Sequence, residues 1–342
     1  MHKVTKALPG CLMFFGLLAG GLAPRFAVAA GGSGGRASLE NYLRSFAYYP
    51  VSLVEVGRQR FLIDAQIDEK KRILLVDTGC PVTTLDVRRV PNLRTLGQLQ
   101  KKLTDNLFGE LSDPAILLID KLQIGGAQFS NQPARGQKLE ADYVRLNFDG
   151  MLGLDFLLRN FCIIDCGNHQ IFFRGARPTP LQADAMAGSF RASGFTGIPV
   201  RCPRHLVMAA KTDGQPFGWA VDTGASYSLI EDSERVRLNL KLVEHTPLGT
   251  FLPSTVEARG LGLLGHGLGT HVLRVACLPT FEVGARTWHD LYVGVEDVKL
   301  SELGDGGNST ADIHGIFGAE LLAGHGAVID FSSLTLWLRP DR

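Results

Sequence analysis

The sequence has almost no charge imbalance. Lys and Arg number 35 against 34 Asp and Glu, a formal net charge of +1. That excludes the basic footprint of a nucleic-acid binder and the charge block of an acidic tail. None of the nine His forms His-Glu-x-x-His, which removes the zincin helix. Ser226 and Ser228 lack the Gly-x-Ser-x-Gly spacing of a nucleophile elbow. Cys162-x3-Cys166 with His169 has the spacing of half a metal site, but no second ligand cluster accompanies it and Asp165 lies on the repeat's ordinary strand pattern. No metal and no cofactor is expected. Gly260-Leu-Gly262-Leu-Leu-Gly265 has the spacing of a dinucleotide fingerprint. It lacks the helix that must follow, because Gly265-His-Gly-Leu-Gly269 is too rich in Gly to continue one. Cysteine is scarce: after Cys11 come Cys80, Cys162, Cys166, Cys202 and Cys277. These five are an odd number, so at least one lacks an intramolecular partner. A chain of this length needs no disulfide framework, and the pairing stays open.

The N-terminus carries the long apolar run. His2, Lys3 and Lys6 make a basic start, Leu12–Ala23 is apolar, and Ala27-Val28-Ala29 is a small-x-small cleavage pattern. This order is that of a secretory signal peptide, read over residues 1–30. The run is short for a membrane span and contains Gly16, Gly20 and Gly21. Cys11 precedes it, whereas a lipid-modified Cys would follow. The expectation is a periplasmic or secreted protein with no stable membrane span after cleavage. Gly31-Gly-Ser-Gly-Gly35 opens a flexible leader over residues 31–48.

What the chain has in quantity is Gly, 40 residues, with 16 Pro. Turns and short strands fit this better than long helices. The length of 342 residues suits two domains. Those two domains repeat one another. Ile73-Leu-Leu-Val-Asp77-Thr-Gly matches Gly218-Trp-Ala-Val-Asp222-Thr-Gly, and each continues into an apolar pair and an acid. Gly150-Met-Leu-Gly153-Leu-Asp155 matches Gly315-Ile-Phe-Gly318-Ala-Glu320. Ten residues separate Asp155 from Asp165, and ten separate Glu320 from Asp330. A third echo closes in Gly125 in one copy and in Gly284 in the other, each read as a turn after a strand. The domains are read as residues 49–175 and 194–342. Pro178, Pro180 and small residues mark 176–193 as a linker.

A lone Asp-Thr-Gly is weak evidence, since Asp and Gly are ordinary turn residues. Two copies in matched surroundings are strong evidence. An Asp at the end of a buried strand is held where its charge is costly. Gly lets the backbone turn beside it. Thr can spend its hydroxyl on a neighbouring loop. Two such loops set face to face give carboxylates that share one proton. One then serves as a base toward water and the other as an acid toward a carbonyl.

These residues resemble the retropepsin-like (retroviral-type) aspartic proteases, specifically bacterial exported proteins with two such domains in tandem. The resemblance rests on Asp77-Thr78-Gly79, Asp222-Thr223-Gly224, Gly150-Met-Leu-Gly153 and Gly315-Ile-Phe-Gly318. It implies an all-β fold of two closed β-barrels related by a pseudo-two-fold axis. Each would carry a short helix, at Leu154–Leu158 and Ala319–Ala323. It implies Asp77 and Asp222 as the catalytic pair of an aspartic endopeptidase, with Thr78 and Thr223 cross-bracing the loops and Gly79 and Gly224 lining the floor. A hairpin flap from each half would cover the substrate. The candidates are Arg259–Thr270, with Gly260, Gly262, Gly265 and Gly267, and Gly97–Glu110. The implied partner is a peptide or unfolded protein, met by a monomer that is its own pseudo-dimer. Where the family has Ala, Ser or Thr after Asp-Thr-Gly, Ala225 fits and Cys80, followed by Pro81, departs. Cys80 is either a small buried residue or a redox-sensitive thiol. The alternative function is a non-catalytic protease-like module that binds peptides or assembles with partners.

Overall fold

Short apolar runs divided by Gly, Asn and Asp turns form strands throughout the chain. A computed structural model describes residues 33–56, 60–98, 115–139, 147–243, 257–258, 271–272, 274–297, 300 and 313–339. The proposed signal peptide lies outside the described residues. So do the flap glycines Gly260, Gly262, Gly265 and Gly267, and 99–110 of the other flap candidate.

The described residues open with α1 (Ser33–Ser45) and β1 (Tyr49–Ser52). The first half follows as β2 (Val54–Val56), β3 (Arg60–Ile67), β4 (Lys70–Val76), β5 (Thr84–Asp86), β6 (Arg94–Gln98), β7 (Ala115–Ile124), β8 (Ala127–Gln137), β9 (Gly150–Leu152) and α2 (Leu154–Arg159). Then come β10 (Ile163–Asp165), β11 (Gln170–Phe173), α3 (Pro180–Ala192) and β12 (Thr196–Arg201). The second half holds β13 (Val207–Thr212), β14 (Gln215–Val221), β15 (Leu229–Glu231), α4 (Asp232–Arg237), β16 (Glu257–Ala258), β17 (His271–Val272), β18 (Arg274–Val283), β19 (Arg286–Glu296), β20 (Ile313–Phe317) and α5 (Ala319–Gly324). Strands β21 (Val328–Asp330) and β22 (Thr335–Leu338) close the chain.

Two rings of strands close on themselves. In the first the order is β3-β4-β9-β5-β8-β7, with β7 pairing back to β3. In the second it is β13-β14-β20-β15-β19-β18, with β18 pairing back to β13. The pairings correspond one for one: β4–β9 and β14–β20 are parallel, as are β5–β8 and β15–β19. Closure removes the exposed strand edges that invite aggregation. The hairpins β7–β8 and β18–β19 turn at Gly125 and Gly284, whose φ angles of 57° and 59° are left-handed. A residue with a Cβ would be strained there, which is why both echoes end in Gly. The short helices α2 and α5 follow Gly153 and Gly318 as the resemblance implies.

Between the barrels lies a six-stranded layer, β1-β11-β10-β21-β22-β12. At its centre β10 and β21 pair antiparallel, with Ile164 opposite Ile329. Equivalent strands from the two halves thus meet on the pseudo-two-fold axis. Alternation sorts this layer's side chains. Ile164, Ile171, Ile329 and Leu336 join a core that runs through both barrels. Ile163, Phe172, Val328 and Trp337 face the other way.

That second face is covered by two helices, and the first corrects an expectation. The Gly run predicts a flexible leader, yet Ser33–Ser45 is the helix α1. Leu39, Tyr42 and Leu43 form its apolar stripe, buried against the layer. The stretch read as a linker, 176–193, contains α3. Thr179 and Gln182 form a reciprocal capping box and Pro180 occupies the first turn. Phe190 stacks on Trp337 with centroids 5.0 Å apart, and Tyr42 Oη donates to Ala185 O at 3.2 Å, joining the helices. Leaving this face bare would expose a large apolar patch, so both segments fold onto it. Among the described residues no helix is long and apolar enough to cross a membrane.

Candidate active site

The strands β4 and β14 end in Val76 and Val221, and the next residue in each case is the Asp. Each Asp is fixed by its neighbour strand. Asp77 N donates to Leu152 O at 3.1 Å, and Asp222 N donates to Phe317 O at 3.0 Å. The loops then turn back on the carboxyls. Gly79 N and Cys80 N donate to Asp77 Oδ1 at 2.9 and 3.1 Å. Gly224 N and Ala225 N donate to Asp222 Oδ1 at 2.7 and 3.2 Å. One oxygen of each carboxyl is thereby held by backbone, and its orientation is set.

Beneath the pair the loops are cross-braced. Thr78 Oγ1 donates to Val221 O at 2.7 Å and accepts from Thr223 N at 2.9 Å. Thr223 Oγ1 donates to Val76 O at 2.8 Å and accepts from Thr78 N at 3.1 Å. Both threonines are wholly buried. Every one of these four bonds crosses from one half to the other. A hydroxyl removed here would leave a buried N–H and a buried C=O unpaired, at about 1–3 kcal/mol for each group.

The brace brings Asp77 and Asp222 face to face. A Cβ on Gly79 would lie 2.3 Å from Asp222 Oδ2, and one on Gly224 would lie 2.4 Å from Asp77 Oδ1. Each loop's Gly is therefore the floor beneath the opposite carboxyl. The two carboxyls hydrogen-bond each other. Burial raises the pKa of both. On Asp77, only 5% exposed, the Asp222 charge and the shared bond raise it further, while that bond lowers Asp222. With both carboxyls raised by burial and set against each other, the pair holds one proton between them.

Two more acids support the loops from behind, a role the repeat left unassigned. Thr83 N and Oγ1 donate to Asp155 Oδ1 at 2.7 and 2.8 Å, and Gly153 N donates to Thr83 Oγ1 at 3.1 Å. In the second half Ser228 N donates to Glu320 Oε1 at 2.5 Å, and Gly318 N donates to Ser228 Oγ at 2.8 Å. Thr83 and Ser228 each lie six residues after their Asp. The matched acids at the start of α2 and α5 were the sequence signal for this. Their settings differ. Glu320 is fully buried, burial raises its pKa from 4.5 to about 7, and its Oε2 has no partner among the described residues.

Cys80 and Ala225 are equally buried, each 4% exposed. Cys80 Sγ donates to Val82 O at 3.0 Å. Burial, then the Asp77 charge, push its thiol up to about 12. That is a packed, protonated thiol and not a reactive one. The other four described cysteines are also unpaired, and Cys162 and Cys166 are wholly buried. No family model matches the chain, and no curated protein matches it in sequence.

Proposed function

We propose that this chain is an exported aspartic endopeptidase of the retropepsin-like kind, cleaving peptide bonds with a water held between Asp77 and Asp222. One observation carries the reading: two buried carboxyls, one protonated and one charged, meet on loops cross-braced by Thr78 and Thr223. The chemistry follows from that protonation state. The charged member of the pair takes a proton from water as the water oxygen attacks the scissile carbonyl carbon, and the protonated member gives its proton to the carbonyl oxygen. The diol then collapses: the first carboxyl gives its proton to the amide nitrogen, the second regains one from a diol hydroxyl, and the C–N bond breaks. The titration belongs to the pair. Because burial raises both members, the single shared proton is kept to higher pH than an exposed carboxyl would allow.

The test offers unfolded protein from pH 3 to 7 to the mature chain, to Asp77→Asn and to Asp222→Asn. Cleavage by the wild type alone is the expected result. Cleavage that survives both substitutions overturns the dyad. A chain that binds peptide without cutting in any form is instead a binding module.

A further inference from the structure

Arg135 lies on β8, directly opposite Thr84 of β5 in the parallel pairing, and its backbone N donates to Thr83 O at 2.7 Å. Partners in a parallel pair project to the same face. Here that face lies outside the barrel core. Ala134, the residue before Arg135, is in the core, and the face shared with Thr84 carries Cys80 and Met151. Thr84 Oγ1 is 3.7 Å from Cys80 Sγ, and Cys80 N binds Asp77 Oδ1. The Arg135 charge favours the Cys80 thiolate where burial and the Asp77 charge oppose it. Arg135 is thus connected to the dyad through Thr84 and Cys80.

Its state is unusual. Arg135 is only 8% exposed. Its Nε is sealed from solvent without an acceptor, and the described residues offer its guanidinium no ion pair. Neighbouring arginines are satisfied. Arg88 takes Asp86 with Nε and Nη2 at 3.0 and 2.7 Å, and Arg89 takes Asp149 at 3.0 Å. The acid next along β5 is thus already used. Two residues along β8, on the same face as Arg135, Gln137 Oε1 is a second sealed polar atom without a partner. Buried charges are ordinarily paired, because an unpaired one is costly.

The second half shows what the position requires structurally. There Leu229 occupies the register place of Thr84 and its partner is Gly294. Ala225, Leu229 and Ile316 pack together there. The barrel closes without any side chain at the equivalent of Arg135. The cation belongs to one side of the site only.

We infer that Arg135 anchors a subsite beside the Asp77 loop and takes a carboxylate, the Glu or Asp side chain of a bound peptide near the scissile bond. This rests on the proposed peptide-cleaving function. The planar fork of Arg matches a carboxylate bidentately, which gives direction as well as charge. A site whose buried donor is otherwise left unpaired rejects the uncharged analogue strongly.

The experiment uses the mature chain and a series of apolar peptides in which one Glu is stepped along the sequence, each with a Gln twin. Cleavage is followed as kcat/KM. Binding is followed separately, by fluorescence anisotropy on the Asp77→Asn variant. At one position the wild type prefers Glu over Gln by about tenfold or more. Arg135→Gln brings that ratio close to one. Arg135→Lys, which keeps the charge without the fork, retains a reduced preference and decides the matter if Arg135→Gln fails to fold. Equal treatment of Glu and Gln at every position, or a preference that persists in Arg135→Gln, overturns the inference. If nothing is cleaved, the protease reading fails by itself. The Glu-to-Gln binding ratio, and its loss in Arg135→Gln, then decides the subsite alone.

Discussion

At the scale of single residues, a methyl group separates two kinds of position in the Asp-Thr-Gly loops. On Gly79 it has nowhere to go: its carbon would lie 2.3 Å from Asp222 Oδ2 and 2.5 Å from Cγ. The carboxyl cannot retreat, because Gly224 N and Ala225 N hold its other oxygen. Gly79→Ala is therefore expected to lower kcat/KM by roughly a hundredfold or more, since displacements of about 1 Å suffice for that. Far-ultraviolet circular dichroism should be nearly unchanged. Cys80 is the opposite case. Its thiol packs and donates to Val82 O, and Ala225 does the same packing in the other loop without a thiol. Cys80→Ala should leave kcat/KM within about twofold and cost about 1 kcal/mol in denaturant unfolding. With its pKa pushed up to about 12, native Cys80 should also resist alkylation at neutral pH. Rapid alkylation with loss of activity would revive the redox-sensitive thiol.

At the scale of elements, the strands that carry the site and the short helices α2 and α5 were legible, and the helices α1 and α3 on the central layer were not. An apolar strand running into Asp-Thr-Gly announces its own end, and Gly125 and Gly284 announce their hairpins by the left-handed turn only Gly enters cheaply. Those signals are local. For α3 the signal was also local, Thr179-Pro180-x-Gln182, but two prolines and many small residues point equally to a linker. For α1 the Gly run at 31–35 outweighs a stripe of only three apolar residues, Leu39, Tyr42 and Leu43. Nothing local reveals the bare face of the central layer that these helices cover. Arg135 is hidden for the same reason: its place beside Cys80 depends on the β5–β8 register, between residues about fifty apart. The helices are consequently part of the fold's stability. Leu43 is fully buried between α1 and the layer. Leu43→Ala should cost about 2–4 kcal/mol in chemical denaturation. A cost near zero would mean that α1 rests on the layer without stabilising it.

At the scale of the whole molecule, the site and the stability meet in the buried acids. Each half also holds the other's loop, since each threonine's hydroxyl is spent on the other half's backbone. Asp77, Asp222, Asp165 and Glu320 all have pKa values raised chiefly by burial. An acid whose pKa is higher folded than unfolded binds more protons in the native state, so stability falls as pH rises between the two values. For Glu320 that window runs from 4.5 to about 7. Each tenfold difference in proton affinity between the folded and unfolded chain is worth about 1.4 kcal/mol, so across the window this residue alone withdraws about 3 kcal/mol. This is the reverse of ordinary acid denaturation, where carboxylates paired in the native state lose their partners on protonation. The chain should therefore melt at a higher temperature near pH 5 than near pH 8. Glu320→Gln isolates the cause. Its amide oxygen still accepts from Ser228 N, and its NH2 stands where the protonated acid carries O–H, but it cannot ionise. The variant should melt close to the wild type near pH 5 and above it near pH 8. If the two melting curves instead stay parallel across that range, Glu320 is not the group that titrates.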